Sequence, residues 1–250
     1  MAKIKTAIIS LTCCEGCQVV ILDLGERLLD LLKFLDLEYF PLGKELKGQE
    51  LEQKYDLALV EGAPITNENI ATLKKLRENS KTLIALGACA HIGGVAEIKN
   101  YGDKEKDISY VYKNVEGINN PDIKPISAYV KIDAAIPGCP IDKDEFVNIV
   151  TDLIAGKTPV IPQRPVCYEC QMRENECLLQ KGLPCFGPVT LGGCKAVCPS
   201  NGIICESCRG PLKERNLASL KYILKDRMSS EELMKVAEIF GAKNDLENNS

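Results

Sequence analysis

Eight of the chain's thirteen cysteines fall between residues 167 and 208, in a stretch rich in glycine and proline. Thiols packed this densely limit the fold more than any other feature, because they must be staples or ligands. Three chemistries are open: disulfides, structural zinc and iron–sulfur clusters. At 250 residues the chain can bury a real core and does not need disulfides to fold. The apolar run after the N-terminal lysines is about six residues, too short for the core of a signal peptide. No stretch approaches the roughly 20 apolar residues that span a bilayer. A cytoplasmic protein is expected, in which thiols stay reduced and clustered cysteines point to metal. A net charge of −4 and an aromatic share of 5% give no basis for a nucleic-acid surface.

The first 165 residues hold only five cysteines and alternate strand and helix patterns. "KIKTAIISL" is β-rich, and Ile21, Leu24, Leu28, Leu31 and Leu35 recur at helical spacing over Gln18–Leu35. "YDLALVEG", "KTLIALG" and "AYVKIDAAIPG" read as three further strands. A helix capped at Thr66 or Asn67 carries Ile70, Leu73 and Leu76, and another starts at Asp142 with Glu145 completing a capping box and stops before Gly156. Such alternation predicts an α/β fold, a parallel sheet with helices on both faces. "GKTPVIPQRP" is the expected linker, and "KNDLENNS" reads as a frayed polar tail.

On that sheet Cys14 and Cys17 follow the first strand, Glu61 the second, Cys89 the third and Cys139 the fourth. Carboxyl ends of parallel strands share one edge, so four thiols from three loops converge there. A cubane iron–sulfur cluster takes four thiolates, and zinc accepts the same set. Glycines at 16, 87, 93, 94 and 138 would let backbone pass close to a bulky cluster. Buried free cysteines are the plain alternative.

Setting aside that tetrad and Cys13, eight cysteines remain, enough for two four-thiolate sites. C-x2-C pairs stand at both ends of the dense region, and Cys198-Pro199 after C-x3-C echoes a bacterial ferredoxin run. Two zinc sites fit these spacings as well. His91 is the chain's single histidine and reads as a loop residue near Cys89, beside a ligand rather than one itself. No phosphate-binding glycine loop is present, and a His-dependent catalytic triad has one candidate base.

In order, "CCEGC", "EGAP", "GACAHIGG", "PGCP", "PCFGPVTLGGC" and "CESCRGP" resemble the small subunit of [NiFe] hydrogenases, over about Lys3 to Pro211. The resemblance is greatest to the cytosolic, multi-subunit type: methyl-viologen-reducing, F420-reducing, sulfhydrogenase or bifurcating. It implies a flavodoxin-like domain over 1–156 with the proximal cluster, and a loop-rich iron–sulfur domain over 157–250 with two further clusters and C-terminal helices. Carried over by position, Cys14, Cys17, Cys89 and Cys139 would bind the proximal [4Fe-4S] cluster, with Glu61 close by. Cys167, Cys170, Cys177 and Cys185 would bind the distal [4Fe-4S] cluster, and Cys194, Cys198, Cys205 and Cys208 the medial one. Where the periplasmic pattern has a distal histidine this chain has Cys167, and Cys198 stands where that pattern has a proline beside a three-iron cluster. Three [4Fe-4S] clusters are therefore expected. Cys13 has no assigned partner and reads as packing or a local tuner.

The resemblance also implies partners: a large subunit holding nickel and iron, and a further redox subunit with flavin or iron–sulfur groups. No catalytic residue is expected in this chain; its chemistry is that of its cofactors. The strand-end edge is expected to be an interface. Ser229–Gly241 reads as a helix with Leu233, Val236 and Phe240 packed on its own domain or on a neighbour. Two rivals are a quinone-reductase subunit of complex I type, with one cluster and no cysteine-rich region, and a colourless zinc scaffold.

Overall fold

The computed structural model describes residues 2–43, 52–119 and 121–248. Its centre is a five-stranded parallel sheet of β1 (Ile4–Ser10), β2 (Leu35–Tyr39), β3 (Tyr55–Glu61), β4 (Ser80–Leu86) and β5 (Ala134–Ile136), in the order β2-β1-β3-β4-β5. That order, with every pairing parallel, is the flavodoxin-like doubly wound arrangement. Side chains alternate across the central strands. Ile8, Leu57, Leu59 and Ile84 point to one buried face, and Ala7, Ile9, Ala58, Val60 and Leu83 to the other. Both faces being covered explains why these strands read as nearly unbroken apolar runs.

The helices α1 (Gly16–Leu22) and α2 (Glu26–Leu31) lead from β1 to β2, and α3 (Asn67–Asn79) leads from β3 to β4. The helix expected over Gln18–Leu35 is therefore corrected: it breaks at Gly25, whose φ of 60° and ψ of −125° suit only glycine. Leu35 opens an edge strand that the helical spacing had hidden, because Ile21, Leu24, Leu31 and Leu35 all face the same core. In α3, Thr66 and Asn69 close a reciprocal capping box. After β4 come α4 (Gly87–Ile92), a 3-10 turn (Val95–Asn100) and α5 (Lys104–Val111). The fourth expected strand shrinks to Ala134–Ile136, since Ile126–Ala128 forms a 3-10 turn.

Asp142 caps α6 (Lys143–Ile154) through the amides of Asp144 and Glu145. The expected capping box is not closed there, because both Glu145 carboxylate oxygens go to Arg209. From Gly156 to Pro165 the chain has no helix or strand, as its prolines require. Beyond it lie α7 (Val166–Met172), α8 (Val197–Ser200), α9 (Leu217–Leu224), α10 (Ser230–Val236) and α11 (Ala242–Asn248). They enclose a third core that includes Val166, Leu178, Phe186, Leu220 and Leu233. Ser229 and Glu232 form the capping box of α10, which packs on that core. Of the segment expected to fray, the part up to Asn248 belongs to α11, held by buried Leu246 and by Asp245 at 2.6 Å from Arg215, while 249 and 250 lie outside the described residues.

Candidate metal centres

Register puts the strand ends side by side: Ser10 opposite Glu61, Glu61 opposite Leu86, and Leu86 opposite Ile136. Each cysteine of the first group follows one of these ends within a few residues. Cys14 and Cys17 enter α1, Cys89 lies in α4, and Cys139 sits in the loop after β5. The loops are tied to each other: Ala88 donates to the Gly138 carbonyl at 2.8 Å, and Leu11 to that of Glu61 at 2.8 Å. Burial pushes the Cys89 thiol up to about 11, and the nearby charges of Cys139 and Cys14 add to the push. Cys17 is raised by burial and by Glu61, and Cys139 lies near it too. The structure therefore gathers all four at one edge.

Glu61 is buried at this strand end, 2% exposed. Its oxygens accept from the Cys17 amide at 3.0 Å, the Gln18 amide at 3.2 Å and the Gln18 side chain at 3.1 Å. Since Glu15, the residue before α1, makes no cap of its own, Glu61 caps that helix from across the sheet. Cys13 lies beside this group: burial, then Glu61, push it up to about 12. His91 is in α4, not a loop, and its Nδ1 is buried without a partner.

A second group forms around α7. Cys167 and Cys170 share one of its faces, Cys177 lies in the loop that follows, and Cys185 is buried beyond it. Burial, then Cys185, Cys170 and Cys177, push Cys167 up to about 12. The Cys205 amide donates to the Cys185 sulfur at 3.3 Å, and the Asn175 side chain to that of Cys170 at 3.5 Å.

Cys194, Cys198, Cys205 and Cys208 form the third group and line a cavity of about 480 Å³, together with Cys139. Burial pushes Cys208 up to about 12, against the Cys139 amide, which faces its sulfur. Amides of Ala196 and Val197 face the Cys194 sulfur. This group touches both others, through Cys139 on one side and through Cys205 and Cys185 on the other.

The donor set and its surroundings fit sulfur-ligated inorganic clusters. Every group offers thiols, and buried thiols with raised pKa values need a bound cation to hold them as thiolates. Glycine cradles adjoin the sulfurs: a Cβ at Gly187 would stand 3.3 Å from Cys167 Sγ, and one at Gly94 only 2.9 Å from Cys89 Sγ. Left-handed non-glycine residues, Glu15, Glu174, Lys195, Ala196 and Ser207, all lie within three positions of a cysteine. Such backbone conformations are costly and gather at functional loops.

Sequence reasoning did not single out Gln18 or the Arg209–Glu145 pair. Arg209 follows Cys208, is 1% exposed and bonds Glu145 at 2.6 and 2.8 Å. Its signal was a single arginine inside a motif read only for its cysteines.

Residues 14–153 match the family of the NADH ubiquinone oxidoreductase 20 Kd subunit. The chain is 40% identical to sulfhydrogenase 2 subunit delta of Pyrococcus furiosus, over 94% of this chain and 98% of that one. It is 32% identical to a subunit of the vhu F420-non-reducing hydrogenase of Methanocaldococcus jannaschii, covering 83% and 82% of the two chains. A crystal structure of an NAD+-reducing [NiFe]-hydrogenase in its H2-reduced state superposes with a TM-score of 0.57 at 30% identity, covering 64% of this chain and 96% of that one. Among the described residues no helix is long and apolar enough to cross a membrane.

Proposed function

The chain belongs to the family of small, electron-transferring subunits of [NiFe] hydrogenases, and from that premise we propose that it binds three [4Fe-4S] clusters in line. Cys14, Cys17, Cys89 and Cys139 hold the proximal cluster in a domain over 1–156. Cys194, Cys198, Cys205 and Cys208 hold the medial cluster, and Cys167, Cys170, Cys177 and Cys185 the distal one, in a domain over 157–250. When bound, the clusters pass single electrons between a nickel–iron site in a large partner subunit and a further redox subunit. The protein works in the cytoplasm, where these thiols stay available to iron.

The observation that carries the order is the position of the middle group, which adjoins Cys139 on one side and Cys185 on the other. The chain's own residues do the rest. Glu61 fixes the helix end that presents Cys17, and amides turned to sulfur stabilise thiolate. Apolar packing around buried Cys17, Cys185 and Cys205 keeps water from them.

A quinone-reductase role is less well supported. The family match ends at residue 153, before the dense cysteines begin, whereas the sulfhydrogenase relative aligns over 94% of the chain. The test is elemental. The complex is purified anaerobically, and iron, acid-labile sulfide, zinc and nickel are counted per copy of this chain. About twelve irons and twelve sulfides, with nickel in a partner, support the reading. Zinc without sulfide overturns it.

A further inference from the structure

Among the described residues Arg209 is the largest side chain to be fully buried, and it lines the same cavity as Cys139 and the third cysteine group. Its guanidinium is held on every side. Nε donates to the carbonyls of Leu191 at 3.2 Å and Gly192 at 3.0 Å. Nη1 donates to the Pro137 carbonyl at 2.8 Å and to Glu145 Oε2 at 2.8 Å, and Nη2 to Glu145 Oε1 at 2.6 Å. These contacts reach three ligand loops: Pro137 stands two residues before Cys139, Gly192 two before Cys194, and Arg209 itself follows Cys208. Gly193 is constrained by the pair, since a Cβ there would run into the guanidinium and stand 2.6 Å from Glu145 Oε1. Two other cations line the cavity, Arg173 and Lys195, and both are at least partly solvent-exposed. Lys195 is further engaged by Asp142 at 2.9 Å.

Resting on the cluster reading above, we propose that Arg209, compensated by Glu145, is a positioning residue for the electron relay. It clamps the Cys139 loop against the loops of Cys194 and Cys208, and its charge sets the potential of the cluster those last two residues hold. A charge buried beside a cluster acts through a low dielectric, so it is weakly screened. A nearby cation favours the more negative, reduced state and raises the potential; a nearby anion does the reverse. Burial pushes the Cys194 thiol up, while Arg209 pulls it down and Glu169 opposes Arg209. Glu169, on α7, is itself paired with Arg164 at 3.3 Å. The nearest counter-charge to Arg209 is therefore Glu145; removing Glu145 leaves Arg209 buried and uncompensated, and removing Arg209 leaves the part-buried Glu145 unpaired.

The test uses the assembled complex, with iron content and EPR-monitored redox titration as readouts. Glu145→Gln is expected to raise one of the three potentials more than the other two, and Arg209→Gln to lower that same one. The double variant Arg209→Gln/Glu145→Gln is expected to return it toward the wild-type value. Opposite signs and a return in the double variant are not produced by a scaffolding role. If Arg209→Gln does not assemble, the other two variants decide. Unmoved or lowered potentials in Glu145→Gln with full iron content overturn the proposal. So does loss of one cluster in Glu145→Gln, which leaves the bonds of Arg209 to the Leu191, Gly192 and Pro137 carbonyls in place. A wild-type complex without cluster signals instead overturns the underlying reading, and the inference with it.

Discussion

Gly94 presses against Cys89, and replacing it with alanine tests whether that cysteine is a ligand or only a packed thiol. Two costs can be worked out. Gly94 has φ +66° and ψ −157°, a region that essentially only glycine enters, where a residue with a Cβ pays about 1–3 kcal/mol. The new Cβ would lie 2.9 Å from Cys89 Sγ, 2.9 Å from its Cα and 3.0 Å from its amide nitrogen, well inside ordinary contact. Two of those atoms are backbone and cannot rotate away, so α4 or the loop has to shift, at about 1–3 kcal/mol. The sum is about 2–6 kcal/mol, and each 1.4 kcal/mol that falls on ligand geometry weakens cluster retention about tenfold. Gly156→Ala is the control: its φ is +71°, but nothing lies within 4 Å of the added atom. The anaerobic complex carrying Gly94→Ala is expected to lose about four of about twelve irons per chain, with the signals of the other two clusters kept. Gly156→Ala is expected to lose none. Equal iron content and equal potentials in both variants would refute the assignment of Cys89 to the first cluster.

Three other outcomes follow from the geometry. Asp133 accepts from Arg77 at 2.7 Å and from the Leu83 amide at 2.8 Å. Burial pushes its carboxyl up, but these two partners outweigh it and hold it below its ordinary value. Its stabilising contribution is thus full above the unfolded carboxyl's pKa and is lost as pH falls through the lower folded value. Asp133→Asn should cost about 1 kcal/mol near pH 7, seen as a lower melting temperature, and the gap from wild type should narrow below about pH 4; a gap that widens in acid contradicts the pairing. Cys177 is exposed, so a maleimide should label it quickly only once iron has been stripped from the complex; fast labelling of the intact complex would remove it from the ligand set. Thr66→Ala opens the capping box of α3 and should cost about 1 kcal/mol without changing iron content; a fall in iron would mean that α3 bears on the cluster edge in a way its position does not suggest.

Much of this was legible in the sequence because the signals were local or periodic. Three of the four expected strands stand nearly where their apolar runs end, and the cysteines follow the strand ends that a parallel sheet brings to one edge. The edge strand β2 was hidden because Leu35 continues a helical spacing, while the break lies in the backbone of Gly25. No pattern of residue types could show that Glu15, Lys195, Ala196 and Ser207 are left-handed, because the loops around the cysteines impose that geometry against the residues' own preference. The most instructive difference is at Glu145. Its offset from Asp142 fits a capping box, in which a glutamate reaches back to one backbone amide at a helix start. In the folded chain it faces a guanidinium 64 residues away, fully buried, which offers two charge-assisted bonds at 2.6 and 2.8 Å. A partly exposed N-terminal amide can be satisfied by water, but a buried arginine cannot, so the carboxylate goes where its absence would cost more. The local motif still caps the helix through Asp142 alone, which leaves Glu145 free to hold the arginine that ties the Pro137–Cys139 loop to the cysteine-rich region.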